Sequence, residues 1–168
     1  MRPCSVVERP YVGLLRALDA AGVRFAIAGG FAVVLHGVPR MTFDLDIVVD
    51  LDHDNMRRLV ATFGGQGFVP RLPVALAQLA DPDARLSWTR ERNLIAFTVQ
   101  HPVRKMEEVD VLLVTPFPWS EIAETLVWRD IDGIKVPVVG RDMLRRMKLH
   151  SGRAKDLSDA ELLQAIDD

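Results

Sequence analysis

Asp44 and Asp46 stand two residues apart in the run RMTFDLDIVVD. In an extended strand, side chains at i and i+2 share a face, with alpha carbons roughly 6.5–7 Å apart. Two carboxylates so placed repel each other, and a half-buried face makes this worse. A divalent cation between them removes the conflict, and Mg²⁺ favours such oxygens together with substrate phosphates. The plain alternative for D-x-D is a solvated strand face. Asp110, in EEVDVLLV, sits just before an apolar run in a similar setting. If the two strands are neighbours, three carboxylates converge. Two ions about 3.5–4 Å apart could then bridge the attacking and leaving oxygens of a phosphoryl displacement. Asp110 could equally take the proton of an acceptor hydroxyl.

Gly29 and Gly30 precede the acids, where an apolar run ends and helical spacing begins. Unpaired N–H groups at such a junction favour anions, and missing side chains let a phosphate approach the backbone. Alone, the pair reads as a tight turn. Followed by D-x-D on the next strand, it sets an anion cradle beside a cation site, the pairing a Mg²⁺-bound nucleoside triphosphate needs. Neither the Walker A nor the Rossmann glycine pattern is present. Arg40 could reach a phosphate or remain a solvated loop charge. His36 reads as a helix-end residue. Asp50, Asp52 and Asp54 mimic the start of a calcium loop, but Asn55 and Ala61 stand where that loop needs Gly and Glu. These acids are expected to cap the helix that follows.

The positioning elements are read from periodicity and breakers. A helix is expected over about 8–21, a buried strand over 23–28, a helix over 31–36 and a strand over 43–49. Asp52 is the expected N-cap of a helix over about 53–63. A short helix over 74–80 follows. Strands are expected at 84–89 and 94–100, joined by the polar turn 90–93, then at 109–114. A short helix over 120–125 precedes two strands, 127–131 and 134–139, flanking the hairpin signal Asp132-Gly133. Helices are expected over 141–151 and 157–166. This order predicts a mixed α/β (α+β) fold, a twisted mixed sheet flanked by helices. No linker divides the chain, so a single domain is expected over 1–168, with a sheet core to about 139 and C-terminal helices over about 140–168.

The chain has 168 residues, 49% hydrophobic and 26% charged, with a formal net charge of −2. That supports one ordinary core and gives no global field toward nucleic acid or membrane. Cys4 is the single cysteine, which suits a reducing compartment. The start lacks an apolar signal core, and the longest apolar run is too short to span a bilayer. A cytoplasmic protein without membrane contact is expected.

The string AIAGGFAVVLHGVPRMTFDLDIVV resembles the nucleotidyltransferase superfamily, whose signature is a glycine pair, a helix and a D-x-D or D-x-E strand. The nearest flavour is the AbiEii-like group, related to toxin nucleotidyltransferases and to small antibiotic nucleotidyltransferases. Its R-x-T-x-D-L-D-I string stands here as Arg40, Thr42, Asp44, Leu45, Asp46 and Ile47. VDVLLV matches the third acidic strand, and MLRRMKLHSGRAKDLSDAELL resembles the C-terminal segment. The resemblance runs from about Val23 to Leu163. It implies a polymerase-beta-like fold with Asp44, Asp46 and Asp110 as metal ligands and catalytic acids. It implies nucleotide contacts from Gly29, Gly30, Arg40, Thr42 and Lys148, with two Mg²⁺ ions and a nucleoside triphosphate substrate. A nucleoside monophosphate would pass to an acceptor hydroxyl or phosphate, releasing pyrophosphate. The chain is then expected to be a toxin acting on tRNA or protein beside an antitoxin, an enzyme of small-molecule acceptors, or a non-catalytic nucleotide- or partner-binding module. Phe31 stands where many members have serine, and the chain is shorter than many toxin members. Arg141, Arg145, Arg146, Lys148, Arg153 and Lys155 form a basic cluster. Of these, Lys148 is the expected nucleotide contact and the rest suit a solvated helix face. Asp156 and Asp159 are expected to pair with Arg153 or Lys155.

Overall fold

The computed structural model describes residues 9–166 of the chain. Cys4 and the opening segment through Glu8 lie outside them. Helix α1 (Val12–Ala20) buries Val12, Leu14, Leu15 and Leu18, one stripe at helical spacing. Strand β1 (Phe25–Ala28) is buried throughout and runs directly into α2 (Gly29–Leu35). The glycine pair therefore forms the first two helical residues rather than a break before the helix. Strand β2 (Leu45–Val49) and α3 (His53–Gly65) follow. The Asp52 carboxylate accepts the Asn55 N–H and so caps α3 as expected. Then come β3 (Val69–Pro70), a 3₁₀ turn (Leu76–Ala80), α4 (Pro82–Glu91), β4 (Ala96–Gln100), β5 (Glu108–Leu112) and α5 (Trp119–Ala123). The last described elements are β6 (Val127–Ile131), β7 (Ile134–Val138), α6 (Arg141–Ser151) and α7 (Ala154–Ala165).

The expectation of a strand over 84–89 is wrong, because α4 occupies that segment. Asp81-Pro82-Asp83 is the reason. The Asp81 carboxylate accepts the Asp83 N–H, and Pro82 stands at the first turn, where its missing N–H costs no bond. Residues 90–93 accordingly end a helix instead of turning a hairpin. The short strand β3 was not expected. It lies at the sheet edge, where Pro70 is tolerated.

Among the described residues, seven strands form one mixed sheet in the order β3-β4-β5-β2-β1-β7-β6. β2 pairs parallel with β5, and β1 parallel with β7; β1 pairs antiparallel with β2. The β6–β7 hairpin turns at Asp132-Gly133, both at positive φ (49° and 83°), as a type I′ turn requires. The mixed α/β expectation holds. Leu45, Ile47, Val109 and Val111 face one side of the sheet and are buried. Their alternation turns Asp46 and Asp110 to the other side. Asn55, fully buried, accepts the Arg24 N–H and donates to the carbonyls of Arg24 and Asp50, tying α3 to the far ends of β1 and β2. Among the described residues no helix is long and apolar enough to cross a membrane.

Candidate active site

Asp46 lies directly across from Asp110 in the parallel pairing of β2 with β5. On its other side Asp46 faces Ala28, the last residue of β1. Across β5, Asp110 faces Thr98 of β4, whose hydroxyl donates to Asp110 Oδ1. Neighbouring strands lie about 4.8 Å apart. A row therefore crosses the sheet through Ala28, Asp46, Asp110 and Thr98, with two carboxylates side by side. Burial, and next the charge of Asp110, push the Asp46 carboxyl from the ordinary 3.8 up to about 6, against the pull of Lys148. Asp44 sits just ahead of β2, exposed, and its charge also bears on Asp46.

Gly29 is at positive φ (59°), and a Cβ built there would lie 1.8 Å from Asp46 Oδ2. The carboxylate thus packs on bare backbone at the β1–α2 junction. A Cβ on Gly30 would lie 2.6 Å from Thr42 Oγ1 and 3.2 Å from Arg40 Nη1. The segment between α2 and β2 therefore folds back over the glycine pair and delivers Arg40 and Thr42 to it. Glycine is required twice here because side chains from two later segments occupy the space.

The two expected phosphate-side cations meet in one buried network. Arg40 donates to Asp159 at 2.7 Å. Lys148, on α6, donates to Asp156 at 2.8 Å and to Asp159 at 2.9 Å, and its side chain is 10% exposed. Asp156 also accepts from Ser151 and from Arg153, the latter at 2.8 Å. Burial works to raise the Asp156 carboxyl, but the hydrogen bonds from Lys148, Ser151 and Arg153 outweigh it and hold it at about 2. Asp156 thus pairs with Arg153 as expected, whereas Asp159 turns to Arg40 and Lys148. Arg145 bonds α7 through the Ala160 carbonyl and Gln164, and Arg146 pairs with Glu121 and lies over the Phe117 ring. His36 ends α2 with Nε2 2.8 Å from the Val139 carbonyl, and burial lowers its pKa.

Sequence reasoning missed Thr98, the Arg40–Asp159 bond and Tyr11, whose hydroxyl meets the starts of both acidic strands. Each depends on a partner distant in sequence, and no local pattern points to it. Among the described residues no three His, Cys, Asp or Glu side chains are gathered as a ready ligand set. The donor chemistry nonetheless fits magnesium. Two adjacent carboxylates, one strained by burial and by its neighbour, present only hard oxygens, and Mg²⁺ draws its remaining ligands from water and substrate phosphate.

The sequence matches no protein-family model, and no curated protein is significantly similar to it. Solved structures are similar in fold. A lincomycin-bound lincosamide antibiotic adenylyltransferase, LnuA, superposes with a TM-score of 0.59 at 17% identity, over 92% of this chain and 94% of that one. ANT(2″)-Ia in complex with adenylyl-2″-tobramycin gives 0.56 at 15% identity, over 90% and 83%. An antigenic nucleotidyltransferase-like protein from Paracoccidioides brasiliensis gives 0.52 at 20% identity, over 90% and 70%. A mixed sheet that sets two aspartates beside a strand-to-helix glycine pair, superposing on these proteins along nearly its whole length, has the nucleotidyltransferase fold.

Proposed function

We propose that this chain transfers a nucleoside monophosphate from a nucleoside triphosphate to an acceptor. The observation that carries the reading is the side-by-side placement of Asp46 and Asp110, with Gly29 packed on Asp46. Asp46 and Asp110, with Asp44 at the open end of β2, would hold magnesium. Bound there, magnesium would neutralise charge on the carboxylates and on the phosphates. In the transfer, an acceptor oxygen attacks the α-phosphorus, the bond to the bridging oxygen of the β-phosphate breaks, and pyrophosphate leaves. Asp110 stands where it could take the acceptor's proton, its orientation held by the Thr98 hydroxyl. Gly30, Thr42 and Arg40 form the phosphate side, with Lys148 behind them. The sheet and the C-terminal helices act in this reading as one transferase domain.

The lengthwise match to LnuA, together with the adenylyl product bound by ANT(2″)-Ia, supports ATP as donor and a small molecule as acceptor. Membership of the AbiEii-like group, with tRNA or protein as acceptor and an antitoxin partner, is the second reading, carried by R-x-T-x-D-L-D-I. Calorimetric titration with each of the four nucleoside triphosphates, with and without Mg²⁺, tests the site. Metal-dependent binding of at least one is expected, and Asp46→Asn should cut transfer by about 10²–10³-fold. No triphosphate binding at all would leave only a partner-binding module, and undiminished transfer by Asp46→Asn would remove Asp46 from the metal site.

A further inference from the structure

Tyr11 lies just ahead of α1 and is 3% exposed. Its phenol oxygen stands 2.6 Å from the Phe43 carbonyl, 3.0 Å from that of Met106 and 2.9 Å from that of Glu108. It also accepts the Glu108 N–H at 3.0 Å. A phenol has one hydrogen to donate, and the Phe43 carbonyl is the nearest acceptor. Phe43 immediately precedes Asp44, and Glu108 opens β5 two residues before Asp110. One oxygen therefore joins the starts of the two strands that carry the acids. The ring meets Phe31 edge-on, with centroids 5.5 Å apart at 84°, and Phe31 follows Gly30. The Tyr11 N–H donates to the Glu107 carboxylate at 3.3 Å.

The backbone of Tyr11 is left-handed (φ 70°, ψ −13°), a strained state for a residue with a Cβ. Such strain persists where the surroundings over-determine it. Burial, foremost, holds the phenol up at about 12, so it remains a donor across the working pH range. A phenylalanine would fill the same space and keep the contact with Phe31. What only the hydroxyl adds to the β2–β5 pairing is a link between Phe43 and Glu108, at the sheet end where Asp44, Asp46 and Asp110 lie.

We propose that Tyr11 is a positioning residue whose hydroxyl sets the spacing of the starts of β2 and β5, so that Asp46 and Asp110 hold one divalent cation between them. The inference rests on the transferase reading of the site. The test uses the full chain, Mn²⁺ as probe and electron paramagnetic resonance to count free ion. Tyr11→Phe should weaken Mn²⁺ binding about tenfold, the loss of one well-placed hydrogen bond. Amide exchange at Glu108, read without metal, should quicken by a similar factor while exchange at Val136 on β7 stays as it was. Ile122→Val, a packing change on α5 of comparable cost, should leave Mn²⁺ affinity unchanged. Equal Mn²⁺ affinity in Tyr11→Phe and the unsubstituted protein, unaltered exchange at Glu108, or an equal loss in Ile122→Val would each overturn the proposal. No Mn²⁺ binding by the unsubstituted protein would overturn the site itself, a failure seen before any variant is made.

Discussion

Replacing Asp46 with asparagine should stabilise the metal-free protein, and the gain should depend on pH. Asp46 is held mostly out of solvent beside Asp110, with its carboxyl raised from 3.8 to about 6. A carboxyl raised on folding binds its proton more tightly in the folded chain. Its penalty is absent below the unfolded value, grows as pH rises through the window between the two, and is complete above about 6. At about 1.4 kcal/mol per unit, the shift amounts to about 3 kcal/mol once the group is ionised in both states. Asparagine has nearly the same shape and carries no charge, so this figure is the ceiling of the gain. Urea unfolding in the presence of a chelator, followed by circular dichroism, would measure it. A gain of about 2–3 kcal/mol is expected at about pH 8, falling to below about 1 kcal/mol at about pH 4. Saturating Mg²⁺ should reverse the order at high pH, because only the aspartate form gains from the ion. A loss of stability in Asp46→Asn at pH 8, or a gain of equal size at acid pH, would refute the reasoning. The raised carboxyl would then not be the cost it is taken to be.

Two further outcomes follow from the same contacts. Gly29→Ala should remove Mg²⁺-dependent nucleotide binding and cost about 1–2 kcal/mol by chemical denaturation, because the new Cβ meets both a positive φ and the Asp46 carboxylate; retention of binding would show that this junction can shift freely. Lys148→Met should cost about 3 kcal/mol near neutral pH, since Asp156 and Asp159 would remain buried with one cation fewer, and a thermal melt unchanged from the unsubstituted protein would contradict the buried network.

Much of the architecture is written locally. Asp52 caps α3 and Asp132-Gly133 turns the last hairpin because each rule involves residues within one turn of each other. The D-x-D strand and the glycine pair are legible for the same reason. They lie on consecutive elements, and the antiparallel pairing of β1 with β2 sets Ala28 opposite Asp46. The helix α4 was legible too, in Asp81-Pro82-Asp83, yet the apolar spacing that follows also fits a strand, and only the cap separates the two.

Short-range signals in the chain thus set which segments bury one face, where they start and stop, and which acids share a strand face. The tertiary structure alone decided that β5 lies against β2, which makes Asp110 a neighbour of Asp46. It alone brought Arg40 to Asp159 and the Tyr11 hydroxyl to Glu108, across 119 and 97 residues of chain. The physical reason is that strand order follows from covering every apolar face at once, a property of the whole chain. Polar side chains then pair with whatever that packing places beside them, because an unpaired buried charge or hydroxyl is costly.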